Sequence, residues 1–363
     1  MTSDDAFSSW WRSFGRPPRV MGLDIARAVA IIGMMGAHVA GIEDRFALFD
    51  PSSWAGIVHG YPSLTFALLA GFSVTLMTRR GQIPEAQIAA VRLRMLGRGA
   101  TIFVIGVLLE ALSTSIAIIL TLYGVLYLVL IPVLRWRSSS LIMLAVPLGL
   151  LGPVLLAALA PLPDDAMGPV LEFLLRGSYP ITVWLFFALI GMALGRLQLL
   201  HMTTAFWFTG AGLVLLVVAH ALAAMPVRDR MLHAAVFDLE PHSGSILELL
   251  AALGMGLLVT GGSLLLARPL RWPLLPVAAL GSMPLSAYTA HVVSYFAMAG
   301  PEGWLASPDI LLWSTVILFA ATTLWSILIG RGPLETLVAR VGDAATLMRA
   351  RHDGDGRMEP TGR

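Results

Sequence analysis

Residues 21–40 read MGLDIARAVAIIGMMGAHVA, an apolar stretch interrupted only by Asp24, Arg27 and His38 among ionisable side chains. Twenty residues of α-helix span about 30 Å, the hydrocarbon thickness of a bilayer. A carboxylate and a guanidinium inside such a run are expensive, so they are retained either as a mutually satisfied pair or as part of a site. This stretch decides the fold class, because the rest of the chain repeats its apolar character.

Further runs fall near 57–78, 98–113, 116–134, 140–161, 179–198, 202–224, 244–267, 274–298 and 309–330. The third and fourth of the ten are separated by Ser113-Thr114-Ser115 and read as one hairpin. Over the 363 residues, 57% are apolar and 13% charged, with a mean hydropathy of +0.80. So few charges cannot clothe a water-facing surface, and lipid must cover it instead. The expected architecture is therefore an all-α polytopic integral membrane protein with about ten transmembrane helices.

The 24 basic residues are all arginine, which removes Schiff-base lysine chemistry. Cysteine is absent, which removes disulfides, thiolate nucleophiles and Cys-ligated metal centres. A pI near 9.3 could suggest nucleic acid, but the arginines lie in short loops beside apolar runs. No nucleic-acid partner is expected. With the N-terminus inside, 19 arginines fall on the inner side and four, Arg45, Arg176, Arg228 and Arg230, on the outer side. That asymmetry predicts both termini cytoplasmic. Residues 1–19, with Trp10, Trp11 and Arg12, read as a cytoplasmic interfacial segment rather than a cleavable signal. Residues 20–330 form the membrane domain, and 331–363 a cytoplasmic tail that is partly disordered, above all from Arg349 on. No internal repeat with a period of 20–50 residues is evident.

The ionisable residues in or beside the runs are the candidates for chemistry. In the arginine-based orientation, His38, His59, Glu110, His220, Glu248 and His291 all lie in the outer half. His233 and His242 lie in or beside the loop before the eighth run. Only His201 and His352 face the cytoplasm. Arg27 and His38 are eleven residues apart, so they share a helix face to within roughly 20° and stand about 16 Å apart along the axis. A guanidinium low on the helix holds phosphate or amide oxygens, and an imidazole above it serves as a general base. That spacing suits a ligand with an anionic head and a reactive group at the end of a long arm, the shape of acyl-CoA. Asp24 and Arg27 at i, i+3 are equally readable as a pair that satisfies itself. His220 and His233 read more simply as packing residues. His38, His59 and His291 lack short-range ligand spacing, and no metal is expected.

Several short motifs carry a resemblance. Helix 1, from Gly22-Leu23-Asp24-Ile25-Ala26-Arg27 to His38, with Phe66 to Ser73 in helix 2, resembles the opening of the bacterial family-3 membrane acyltransferases. More closely, the chain is similar to bacterial relatives of heparan-α-glucosaminide N-acetyltransferase. The segments that carry this likeness are His59-Gly60, Phe66 to Gly71, Tyr123 to Tyr127, Tyr179-Pro180, Pro241-His242-Ser243-Gly244-Ser245, Gly281 to His291 and Gly332-Pro333-Leu334-Glu335. Their order spans residues 19–340. The resemblance implies transfer of an acyl group from cytosolic acyl-CoA to an acceptor across the membrane. In the lysosomal members the active histidine precedes a Ser-Trp pair in the loop after helix 1. This chain has Pro51 there, ahead of Ser52, Ser53 and Trp54. The base must come from elsewhere.

The reading that follows is a transmembrane acyltransferase of the bacterial inner membrane, acting on a hydroxyl or amine of an extracytoplasmic glycan or glycolipid. Arg27, Arg79, Arg80, Arg92 and Arg94 would hold the CoA phosphates. His38 or His59 would be the base, oriented by Glu248 or Glu110, with His242 and His291 placing the acceptor or the oxyanion. Membrane lipid, acyl-CoA and the acceptor are the expected partners, and a homodimer is left open. The alternative is a transporter or flippase for a glycolipid or small solute, whose sequence mark would be inverted repeats or two matched broken helices.

Overall fold

The computed structural model describes residues 9–17, 19–43, 45–78, 82–163 and 166–355, and among these it contains no strand. All ten apolar runs become a helix or a pair of helices. The first half comprises α1 (Met21–Val39), a 3-10 helix (Pro51–Val58), α2 (Tyr61–Met77), α3 (Glu85–Glu110), α4 (Leu120–Val129) and α5 (Ser138–Leu159). After the short α6 (Pro169–Leu175) come α7 (Ile181–Leu194), α8 (Met202–Ala223), α9 (Ile246–Leu266), α10 (Leu275–Ser282), α11 (Pro284–Ala299), α12 (Pro308–Leu328) and α13 (Pro333–Asp355). Among the described residues, five helices are long and apolar enough to cross a membrane: α1, α5, α8, α9 and α12. The 3-10 helix and α2, bent by 50° at their junction, pass the same length and hydropathy test only as a pair, as a broken span or a re-entrant loop. The chain is a membrane protein, with apolar side chains such as Met143, Trp207 and Leu324 turned outward as lipid requires.

Helix α1 is the centre. Its residues Leu23, Ala26, Ala28, Ile31 and Met35 are almost wholly buried, and α2, α9, α10 and α12 pack around it. Since lipid competes for apolar surface, helices here associate through small residues that let backbones approach. A Cβ on Gly281 would overlap the carbonyl of Asp24, so α10 lies directly against α1. Gly71 of α2 and Gly191 of α7 face each other in the same way.

Three features depart from the sequence reading. Helix α3 begins at Glu85, well before the apolar run at 98, because hydropathy reports only the part that lipid can accept. Its polar first turns instead pack on α13, where Arg94 Nε donates to Asp343 at 2.8 Å. The segment read as a C-terminal tail contains a helix, α13, which runs from Pro333 to Asp355. The run at 274–298 is broken at Met283, whose φ of −130° leaves the helical region. Pro284 has no amide hydrogen to donate and starts α11 instead.

One end of the bundle gathers segments that the arginine pattern assigns to a single side. Arg271 donates to the carbonyls of Trp11 and Phe14, Trp11 stacks on Trp272 at 4.6 Å, and Arg268 donates to the carbonyl of Leu200. The loops carrying Arg45, His59 and Asp238 gather together at a large cavity elsewhere in the fold.

Candidate active site

Four of the histidines singled out in the sequence converge where α1, α2, α9 and α11 meet. His38 closes α1, and its Nδ1 lies 3.2 Å from Nε2 of His291 on α11. The two rings are parallel within 6°, with centroids 5.5 Å apart. One nitrogen of this pair must donate and the other accept. If His38 Nδ1 donates, His38 Nε2 keeps its lone pair and His291 shares the charge when a proton arrives. His38, His242 and Tyr179 line one small chamber of about 40 Å³. Tyr179 donates to the carbonyl of Ala117 at 3.0 Å.

His59 precedes α2 and places Nε2 3.0 Å from the carbonyl of Ile42. A carbonyl only accepts, so Nε2 carries the hydrogen and Nδ1 is the basic nitrogen. This residue faces a larger outer cavity of about 780 Å³, which it shares with Arg45, Asp50, His220, Asp238 and Glu248. His220 donates through Nδ1 to the carbonyl of Leu216 at 2.9 Å, while its buried Nε2 has no partner.

Glu248 lines the same outer cavity and is bonded into the loop before α9. Ser245 caps α9 by accepting from Glu248 N at 3.0 Å, and Glu248 reaches back over the preceding loop. Its carboxylate accepts from His242 N at 2.7 Å, Gly244 N at 2.6 Å and Ser243 Oγ at 3.2 Å. This is a variant of the Ser-x-x-Glu capping box, with the carboxylate bonded to amides one and three residues before the usual N-cap amide. The result is that Pro241 to Ser245 is wrapped around one buried carboxyl group. His242 adopts a φ of +66°, a region few residues other than glycine occupy, and its bonded amide holds it there. The ring stays open to the chamber and packs edge-on against Tyr179. Enclosure by protein lowers its pKa below the ordinary histidine value, and the charge of His59 lowers it further. Glu110 is elsewhere, accepting from the hydroxyl of Thr121 at the end of α3.

A second cavity, of about 250 Å³, lies deeper along α1 and carries the cations. Arg27 lines it, and Nη1 also contacts Asp24 at 2.5 Å and the carbonyl of Gly281 at 3.3 Å. Nη2 lies 3.3 Å from Ser73 Oγ. Asp24 also receives Arg19 at 2.5 Å, so Arg27 is paired with a shared carboxylate while it borders a cavity. Arg98 is the residue that sequence reasoning missed. Its guanidinium lies over Tyr127 at 5.2 Å and lines the same cavity, and its buried Nε has no partner. In sequence it stood at the edge of a run and counted only toward topology. Arg92 and Arg94 are exposed on α3 and do not border this cavity, while Arg79 and Arg80 lie outside the described residues.

The cavities are in sequence. Ile119 lines both the arginine cavity and the histidine chamber, and Gly60 lines both that chamber and the outer cavity. The final motif closes the arginine end: Glu335 accepts from Leu285 N at 2.8 Å, Ser286 N at 3.1 Å and Ser286 Oγ at 2.5 Å. It thereby caps the break before α11 and fixes the helix that carries His291.

Residues 19–225 match the family described as heparan-alpha-glucosaminide N-acetyltransferase, catalytic. That stretch contains Arg27, His38, His59 and Arg98, whereas His242, Glu248 and His291 lie beyond it and join the site through the fold alone. Comparison with curated proteins gave no match.

Proposed function

The chain belongs to the heparan-alpha-glucosaminide N-acetyltransferase catalytic family, and from that premise we propose that it transfers an acetyl group from cytosolic acetyl-CoA to an extracytoplasmic glycan or glycolipid. The observation that carries the reading is the succession of cavities from Arg27 and Arg98, past Ile119, to His38, and past Gly60 to the outer cavity. A donor with phosphates at the arginines would extend its thioester arm toward His38. The acceptor would enter from the outer cavity beside His59.

His38, through Nε2, takes the proton from the acceptor's hydroxyl or amine as that atom attacks the thioester carbonyl carbon. The carbon–sulfur bond then breaks, and the sulfur leaves as thiolate to be protonated. His291 supports the charge that His38 gains. His59 is the second candidate base, with Nδ1 as its reacting atom. Glu248 acts by setting the loop that presents His242, which is positioned to orient the acceptor. About ten spans, cytoplasmic termini and a bacterial inner-membrane location complete the proposal. The transporter reading gains no support from the broken helices. The breaks interrupt the second and ninth of ten runs, which are not counterparts in two halves of five.

The test is acetyl transfer in proteoliposomes, with labelled acetyl-CoA on one side and an amino-sugar or glycolipid acceptor on the other. Product on the far side is expected from wild type, and His38→Ala should reduce it by about 10²–10⁴-fold with donor binding retained. Wild-type rates from a His38→Ala, His59→Ala double variant would remove both residues from the chemistry.

A further inference from the structure

A fourth cavity, separate from the three in sequence, opens sideways from the bundle between α1, α2 and α9. Its volume is about 220 Å³, and its lining includes Val29, Gly33, Pro62, Met255 and Val259. Tyr61 and Thr65 are its polar side chains, and no charged side chain borders it among the described residues. Val29, at the opening, is 43% exposed on a helix that is apolar enough to span the membrane. Water gains too few hydrogen bonds in such a space, and apolar cavities of about 150 Å³ are known to stay dry yet accept a benzene-sized guest. Left empty, the lining would forfeit its dispersion contacts. A hydrocarbon chain meets both conditions.

Its connections say which chain. Val58 lines both this cavity and the histidine chamber, and Tyr61 lines both this cavity and the outer one. A molecule with its polar head beside His59 therefore finds its nearest apolar outlet here. The 3-10 helix and α2, both of which line the cavity, meet here at the 50° bend. Gly33 lets α2 approach α1 closely at the cavity's edge, since a Cβ there would come within 2.6 Å of Pro62.

We propose that this lateral cavity holds the alkyl chain of a lipid-linked acceptor whose sugar headgroup occupies the outer cavity. The assignment of that lipid as acceptor rests on the acyltransferase reading; the presence of a chain-binding site does not.

The experiment uses the full-length protein in nanodiscs containing a trace of an alkyl glucosaminide with a diazirine at the chain end. Photolysis and peptide mapping should place the label on the α1 and α9 residues of the cavity, and excess unlabelled octyl glucosaminide should compete it away. Val259→Phe fills the cavity, and Val29→Phe, at its exposed mouth, serves as the variant least able to disturb folding. Both should lower cavity labelling several-fold at unchanged melting temperature. Label spread evenly over the outward faces of α5, α8 and α12, or left unchanged by both variants, would refute the site. Acetyl transfer to methyl and octyl glucosaminide is measured in the same preparations. A several-fold preference for the octyl compound, lost in the Phe variants, is expected, and no such preference would refute the acceptor role. Cavity labelling with no acetyl transfer to either compound would count instead against the acyltransferase reading.

Discussion

At the scale of single residues, buried charge is used for two purposes that look alike in sequence. Arg27 borders a cavity while bonded to Asp24, whereas Arg98 leaves a buried Nε unpaired beside Tyr127. Arg98→Ala should therefore weaken the thermal stabilisation given by acetyl-CoA more than Arg94→Ala, whose guanidinium is engaged with Asp343 at the surface. Equal responses in a melting assay would take Arg98 out of the donor site. Glu248→Ala should lower stability by about 2–4 kcal/mol, because it leaves the amides of His242 and Gly244 without an acceptor. Glu248→Gln should recover part of that loss, and denaturation in detergent measures both. His242 gives a pH prediction. Its pKa is lowered, so the ring stays neutral to more acid pH than an ordinary histidine and gains its proton only below that range. Histidine-labelled NMR titration should find this, and His59→Gln should move the value upward by removing one of the two causes. A titration at or above the ordinary histidine value would contradict the enclosure described here.

At the scale of elements, the site depends on helix ends rather than helix middles. His38 ends α1, His59 precedes α2, His242 precedes α9, and α11 exists as a separate helix because Pro284 interrupts the ninth run. Glu335, from α13, then supplies the acceptors that the opened end of α11 needs. Glu335→Ala should displace α11 and lower acetyl transfer while leaving Asp24 and Arg27 paired. Wild-type transfer rates in a folded Glu335→Ala protein would show that the break requires no such cap. Helix contacts are equally specific. Gly71→Val would drive a side chain into the carbonyl of Ala188, and the yield of folded protein should fall sharply. Gly210→Val, at a glycine with open space around it, is the control.

For the whole molecule, the arrangement of arginines and cavities predicts sidedness. The arginine cavity should be reached from the cytoplasm and the outer cavity from the other face. Single cysteines at Ser139 and Ala166, both exposed, should react with an impermeant reagent from opposite sides of the membrane. Reaction of both from outside intact cells would reverse or break the proposed orientation. The cysteine-free sequence makes this test clean, since no native thiol competes.

The all-α membrane class was readable from the sequence because hydropathy over about 20 residues is a local property, and a bilayer permits little else. The order of runs, the hairpin at Ser113 to Ser115 and the isolation of His38, His59, His242 and His291 as candidates were readable for the same reason. Pro284 was visible, yet its consequence was not, since prolines inside Ser138–Leu159 leave that helix continuous. Only packing decides which proline breaks a helix. Tertiary structure alone brought His38 to His291 across 253 positions and set Ile119 and Gly60 each between two neighbouring cavities. It also set the Glu248 carboxyl, read in sequence as orienting the base, against the amides of His242 and Gly244. Those facts depend on which side chains meet across helices, and a linear chain carries no local trace of such meetings.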